Sequence, residues 1–180
     1  MTAKWAYAMV LSALCSFGAV YAGELGNVYG SPEIEQASRE SSAAALAALR
    51  DLFEAARLRE IGEGSGSELF LAAAENLRVA SNGFSALVEA EVGFELTEDE
   101  RSYVIARIGD NFFGDIGMAN VSHLSVLLSM MGEATFELSN LLLEISGDFE
   151  GLILPNLSPR VERILALGEV ISTIGEGRLD

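Results

Sequence analysis

An all-α fold, built as a four- to five-helix and mostly antiparallel bundle, is what this sequence of 180 residues predicts. Three observations carry that expectation. Half of the residues are hydrophobic, and most of that content is Ala and Leu, which are strong helix formers. Only three prolines interrupt the chain. Apolar residues recur at spacings of three and four through long windows, while no useful stretch alternates with period two. The length suits one domain, large enough to bury a core without covalent staples.

Residues 1–22 stand apart from the fold. Lys4 forms a short positive region, Trp5 to Val20 an apolar one, and Val20-Tyr21-Ala22 ends in the small residues that precede a cleavage point. This is the form of a secretory signal peptide. Cleavage is expected after Ala22, giving an exported chain, periplasmic or secreted, that begins at Gly23. The competing reading is a retained anchor helix, but the apolar run is short for the roughly 20 residues of a span. A lipoprotein signal is disfavoured because bulky Leu14 precedes Cys15.

Residues 23–31 form a lead without periodicity, and the bundle is expected over residues 32–177. The first helix should run from Pro32 to about Ile61. Ser31 is a suitable N-cap, Pro32 fits the first helical position, and Glu33 and Glu35 complement the positive helix end. Ile34, Ala37, Ser41, Ala45, Ala48, Leu52 and Ala55 form its inner stripe. The Gly62-to-Ser67 string breaks it, with Gly62 as the C′ residue.

A second helix is expected over about Gly66 to Val92, started by Ser65 and Glu68 at capping-box spacing and closed by Gly93. Phe70, Ala73, Leu77, Ala80, Phe84 and Leu87 form a bundle seam. Asn82-Gly83 suggests a kink, since Gly costs about 1 kcal/mol against Ala in a helix. Thr97 and Glu100 have capping-box spacing for a third helix, which carries Val104, Ile105, Ile108 and Phe112 and should end near Phe113.

The longest apolar helix is expected from Asn120 to Ile145. Leu124, Leu128, Met131, Thr135, Leu138 and Leu142 share its face, and the other helices should pack around it. Glu133, Glu137 and Glu144 argue against a membrane span, because a carboxylate at mid-bilayer costs roughly 2.5 kcal/mol or more. The 152–154 apolar run is too short to type. Ser158-Pro159 should start the last helix, which uses Val161, Ile164, Leu165, Ile171 and Ile174 and ends at Gly175 or Gly177.

Charge and cysteine usage exclude several chemistries. All 27 acids follow residue 22, against ten arginines and no lysine, so the mature chain carries a net charge near −17. Such a chain repels phosphate backbones and anionic lipid surfaces. Nucleic acid is therefore not an expected partner. Cys15 is the only cysteine and lies inside the signal, so the mature chain has no disulfide, thiolate zinc site or thiol nucleophile.

His123 is the sole histidine. Ser-His-Asp catalysis would have to use it, but no Gly-x-Ser-x-Gly elbow accompanies it, and a structural role is favoured. Met118, Met130, Met131 and His123 are conceivable haem ligands, although methionines at helical spacing are more often core filler. A di-iron bundle needs two Glu-x-x-His pairs, which one histidine cannot supply. Asp110, Asn111 and Asp115 crowd one loop and Asp148 and Glu150 another, but neither has EF-hand spacing. Glu133 and Glu137 form a like-charged i,i+4 pair that fits a solvated face as well as acid–base work. Asn120-Val121-Ser122 and Asn156-Leu157-Ser158 fit the glycosylation pattern, and helix capping is the competing expectation for both.

The expectation is therefore a non-catalytic exported bundle, without cofactor or metal, acting through protein–protein contacts with a basic partner. The alternative is a bundle that binds a small apolar ligand or cofactor between its helices.

Overall fold

A computed structural model describes residues 32–64, 66–109, 121–144 and 154–175. The signal, the lead and both acidic loops (Asp110, Asn111 and Asp115; Asp148 and Glu150) lie outside the described residues. The described chain is all-α and bundle-like, with five helices: α1 (Pro32–Glu60), α2 (Ser67–Glu89), α3 (Glu98–Ile108), α4 (Leu124–Glu144) and α5 (Leu154–Gly175). Among the described residues the only β pairing is an isolated antiparallel bridge between Glu95 and His123.

Local chemistry sets the helix ends. At the end of α1, Gly62 takes φ 72°. The Glu63 amide donates to the Leu58 carbonyl (2.9 Å) and the Gly62 amide to that of Arg59 (3.2 Å), the paired bonds of a Schellman cap. The end of α2 repeats the pattern, with Val92 donating to Leu87 and Glu91 to Val88, both at 3.0 Å. Here the left-handed position holds Glu91, at φ 53°. Gly93 is therefore not the closing residue, and the helix stops at Glu89. Val92 and Leu87 are both buried and supply the apolar contact that accompanies this cap.

The start of α2 also departs from expectation. Gly66, in a left-handed conformation, occupies the N-cap position and makes no side-chain cap bond. A side chain there would run into the Ala55 backbone, so the incoming turn is pressed against α1. The predicted box at Thr97 is present: Thr97 Oγ1 accepts from the Glu100 amide (3.2 Å) and Glu100 accepts from the Thr97 amide (2.7 Å). α3 ends at Ile108, five residues early, because Gly109 takes φ 71° and bonds back to Ile105.

α5 starts at Leu154 rather than at Ser158-Pro159, and Pro159 lies inside it. Near a helix start a proline forfeits one backbone bond, while the added turn buries Leu157. No break occurs at Asn82-Gly83, and α2 is continuous. Gly83 serves contact between helices instead: a Cβ there would lie 2.9 Å from Ser41 Cβ and collide with its hydroxyl.

The core is shared between α2 and α4 rather than centred on α4 alone. α1 packs on α2, α2 on α4, and α5 on both α4 and α3. α2 is apolar on two sides, with Phe70, Leu77 and Phe84 fully buried and Gly83 lying against Ser41 of α1. Burying each such large side chain stabilises by roughly 1.5–3 kcal/mol. Hydroxyls knit the α2–α4 seam. Ser81 donates to the Gly132 carbonyl (2.9 Å) and Ser139 to that of Ala74 (2.8 Å). These two rungs run in opposite sequence order, so α2 and α4 are antiparallel.

Candidate functional site

The residues with the most reactive chemistry meet where the α2–α3 connection crosses the start of α4. The Leu96 amide donates to the Ser122 carbonyl (2.8 Å) and the Leu124 amide to that of Phe94 (3.0 Å). His123 sits between these bonds, half-buried, beside Gly93. Its Nδ1 accepts from the Ser125 amide at 3.2 Å and lies 2.7 Å from Ser125 Oγ. Both contacts fall on the same ring nitrogen, so His123 is tied back to the first turn of its own helix through Nδ1.

A serine hydroxyl aimed at an imidazole nitrogen is also how an activated nucleophile begins. The surrounding amides point to the structural role. Acyl transfer needs free donors where the oxyanion forms. At this helix start the Leu124 amide is bonded to Phe94, that of Ser125 to His123, and that of Val126 to the His123 carbonyl (3.1 Å). His123 is a helix cap that has taken up the local donors.

The other flagged residues separate. Met130 and Met131 are buried in the core, and Met118 lies outside the described residues. Among the described residues no three His, Cys, Asp or Glu side chains come together as a metal site. Glu133, Glu137 and Glu144 are all exposed, and Glu137 reaches Arg163 of α5 at 3.7 Å. α4 is also long and apolar enough to cross a membrane by length and composition, the one such helix among the described residues, and it is mostly buried inside the protein.

What remains is a surface. α1 neutralises much of its own charge: Arg39 pairs with Glu35, Arg57 with Glu54 at 2.6 Å, and Arg50 approaches Asp51 at 3.9 Å. The Arg57 hydrogen bond holds the Glu54 carboxyl below its ordinary range. Across the molecule, α3 is tied to α5 by Arg107 and Glu169, whose hydrogen bond raises the guanidinium above its usual value against the opposing effect of burial. The outward sides of α2 and α4 are different. Glu68, Glu75, Glu89, Glu133, Glu137 and Glu144 are exposed there, with Arg78 the only base on those two helices.

Three large apolar side chains share those sides: Leu71 is 39 % exposed, Val79 56 % and Phe136 44 %. Sequence reasoning left them unassigned. Leu71 and Val79 fall off the Phe70–Leu77–Phe84 stripe, and Phe136 falls off the Leu128–Thr135–Leu142 stripe. An apolar residue out of phase with a helix's buried face was the available signal.

Fold and surface thus define an all-α, bundle-like protein with a wet, acidic outward face. No family model, curated protein or solved structure matches the chain.

Proposed function

We propose that this protein is an exported, non-catalytic acidic bundle of mostly antiparallel helices that acts by binding a basic protein. One observation carries the reading: the carboxylates on α2 and α4 far outnumber the bases beside them, whereas α1 pairs its own charges. Unneutralised charge of one sign steers an oppositely charged partner and raises its on-rate. The same charge repels nucleic acid and anionic lipid. Export rests on the pattern of residues 1–22, with cleavage after Ala22.

The test is to recover the protein from the exported fraction of its own host after mild crosslinking. Its intact mass should begin at Gly23, and a basic protein should be captured at low salt and lost as the Debye length falls from about 10 Å at 0.1 M to about 3 Å at 1 M. A mass that retains residues 1–22 would overturn cleavage after Ala22 in favour of a retained anchor, and absence of the protein from the exported fraction would overturn export. A captured protein that is acidic, or that binds equally well at all ionic strengths, would overturn the partner reading.

A further inference from the structure

Five large apolar side chains are exposed among the described residues, and three of them (Leu71, Val79 and Phe136) lie on the outward sides of α2 and α4. Single exposed apolar residues are ordinary on any surface; their placement here is what matters. The two helices lie side by side and antiparallel, fixed by the Ser81–Gly132 and Ser139–Ala74 bonds. Phe136 lies between those rungs on α4, and Arg78 lies between them on α2. Glu68, Glu75 and Glu89 of α2 and Glu133 and Glu144 of α4 are exposed on the same two helices as these apolar side chains.

We propose that this two-helix face docks an amphipathic, basic helix of another protein, whose apolar stripe covers Phe136 and Leu71 and whose lysines or arginines meet the surrounding glutamates. The proposal rests on the basic-partner reading above and adds where the partner sits and what form it takes. Charge argues for this occupant over the others. Two copies of the chain joined by this face would set glutamate against glutamate, and like charges brought together cost affinity. An anionic membrane is repelled for the same reason. A helix laid over an antiparallel pair reuses ordinary helix packing, with apolar anchors every three to four residues.

The probe is a Leu/Lys peptide of about 18 residues, ~27 Å as a helix, whose leucines fall on one face. A second peptide of the same composition spreads its leucines around the helix, and polyarginine serves as a charge-only control. Binding is followed by anisotropy and by amide shifts of the protein as recovered from its host. The amphipathic peptide should bind at least about 10-fold more tightly than the spread one, with shifts confined to the outward residues of α2 and α4. A Leu71→Ala, Phe136→Ala double variant should lose at least about 10-fold, as truncation of central apolar anchors does. Ile61→Ala and Ile105→Ala, the exposed apolar residues elsewhere, should change binding less than about twofold. A Glu75→Gln, Glu133→Gln, Glu144→Gln variant should weaken binding and flatten its salt dependence.

Each other result has a definite reading. If the spread peptide and polyarginine bind as tightly, and the Leu71/Phe136 variant is unaffected, the basic-partner reading stands and this face is wrong. If no basic probe binds at low salt, both fall. If sedimentation finds a dimer that the Phe136→Ala change dissociates, a second copy covers the face and the proposal is overturned. Circular dichroism of each variant separates lost binding from lost fold.

Discussion

The α2–α4 seam and the α3–α5 seam join helices in opposite ways. Between α2 and α4, fully buried Phe84 lies against Gly132, and two buried hydroxyl-to-carbonyl bonds cross the seam. Between α3 and α5 the described polar links are an exposed ion pair, Arg107 with Glu169, and a 3.4 Å approach of the Tyr103 hydroxyl to Thr173. α3 has 11 residues and buries only Val104 and Ile108. The difference separates a cooperative core from an appended element. Buried apolar contacts and dry hydrogen bonds set global stability, whereas exposed ion pairs contribute little. α3 should open locally at a free energy well below that of global unfolding.

Phe84→Ala is the strongest way to break the contrast. It removes a fully buried ring from the seam and should cost about 3–5 kcal/mol, read as a lower urea midpoint at constant m. α2 and α4 amides should lose protection together. If they do not, the seam is not one cooperative unit.

Two mid-helix glycines sharpen the comparison by sign. A Cβ at Gly83 collides with Ser41 across the α1–α2 contact, so Gly83→Ala should destabilise by about 1–3 kcal/mol despite its better helix propensity. A simultaneous Ser41→Gly change should restore part of that. At Gly132 an added Cβ meets its nearest neighbour, Phe84 Cβ, at 3.6 Å, an ordinary contact. Gly132→Ala should therefore stabilise by up to about 1 kcal/mol through propensity alone. Equal signs in thermal melts would mean that helix packing at the two sites has been misread.

Thr97→Ala removes the α3 capping box and should cost about 1 kcal/mol. The loss should show in the exchange rates of α3 amides and leave those of α2 and α4 almost unchanged.

Much of this architecture was legible in the sequence, and its failures have physical causes. Helix identity and the stripes of α1, α2 and α4 followed from spacing, because burial imposes a 3.6-residue period. Gly62 and the Thr97–Glu100 box were readable because their chemistry is local. Glu91 was not, since a non-glycine residue takes the left-handed position there and the visible Gly93 lies two residues on. Gly83 read as a weak point because its partner, Ser41, lies 42 residues away in sequence and only the fold brings them together. Val104, Ile105 and Ile108 were named together as the apolar residues of α3 with no face assigned, and only Val104 and Ile108 are buried while Ile105 is exposed; so short and polar a helix gives too few turns to fix its phase. His123 could be weighed only as a residue type until its hydrogen bonds to Ser125 were visible. The apolar face residues of α2 and α4 were in plain view but out of phase with each core stripe, so pattern reading passed over them.

Arg107→Gln is the finest probe of the same contrast. The ion pair it removes joins side chains 47 % and 41 % exposed, and water screens such a pair. The expected loss is below about 1 kcal/mol. Half or more of it should vanish at 1 M salt, where the Debye length is about 3 Å. Glu169→Gln should give the same loss, and the double variant little more than either single one, since each change removes the same interaction. α3 amides should exchange faster while the global midpoint hardly moves. A loss above about 2 kcal/mol that survives high salt would mean the pair works as a desolvated link, and α3 would then belong to the cooperative core rather than to its edge.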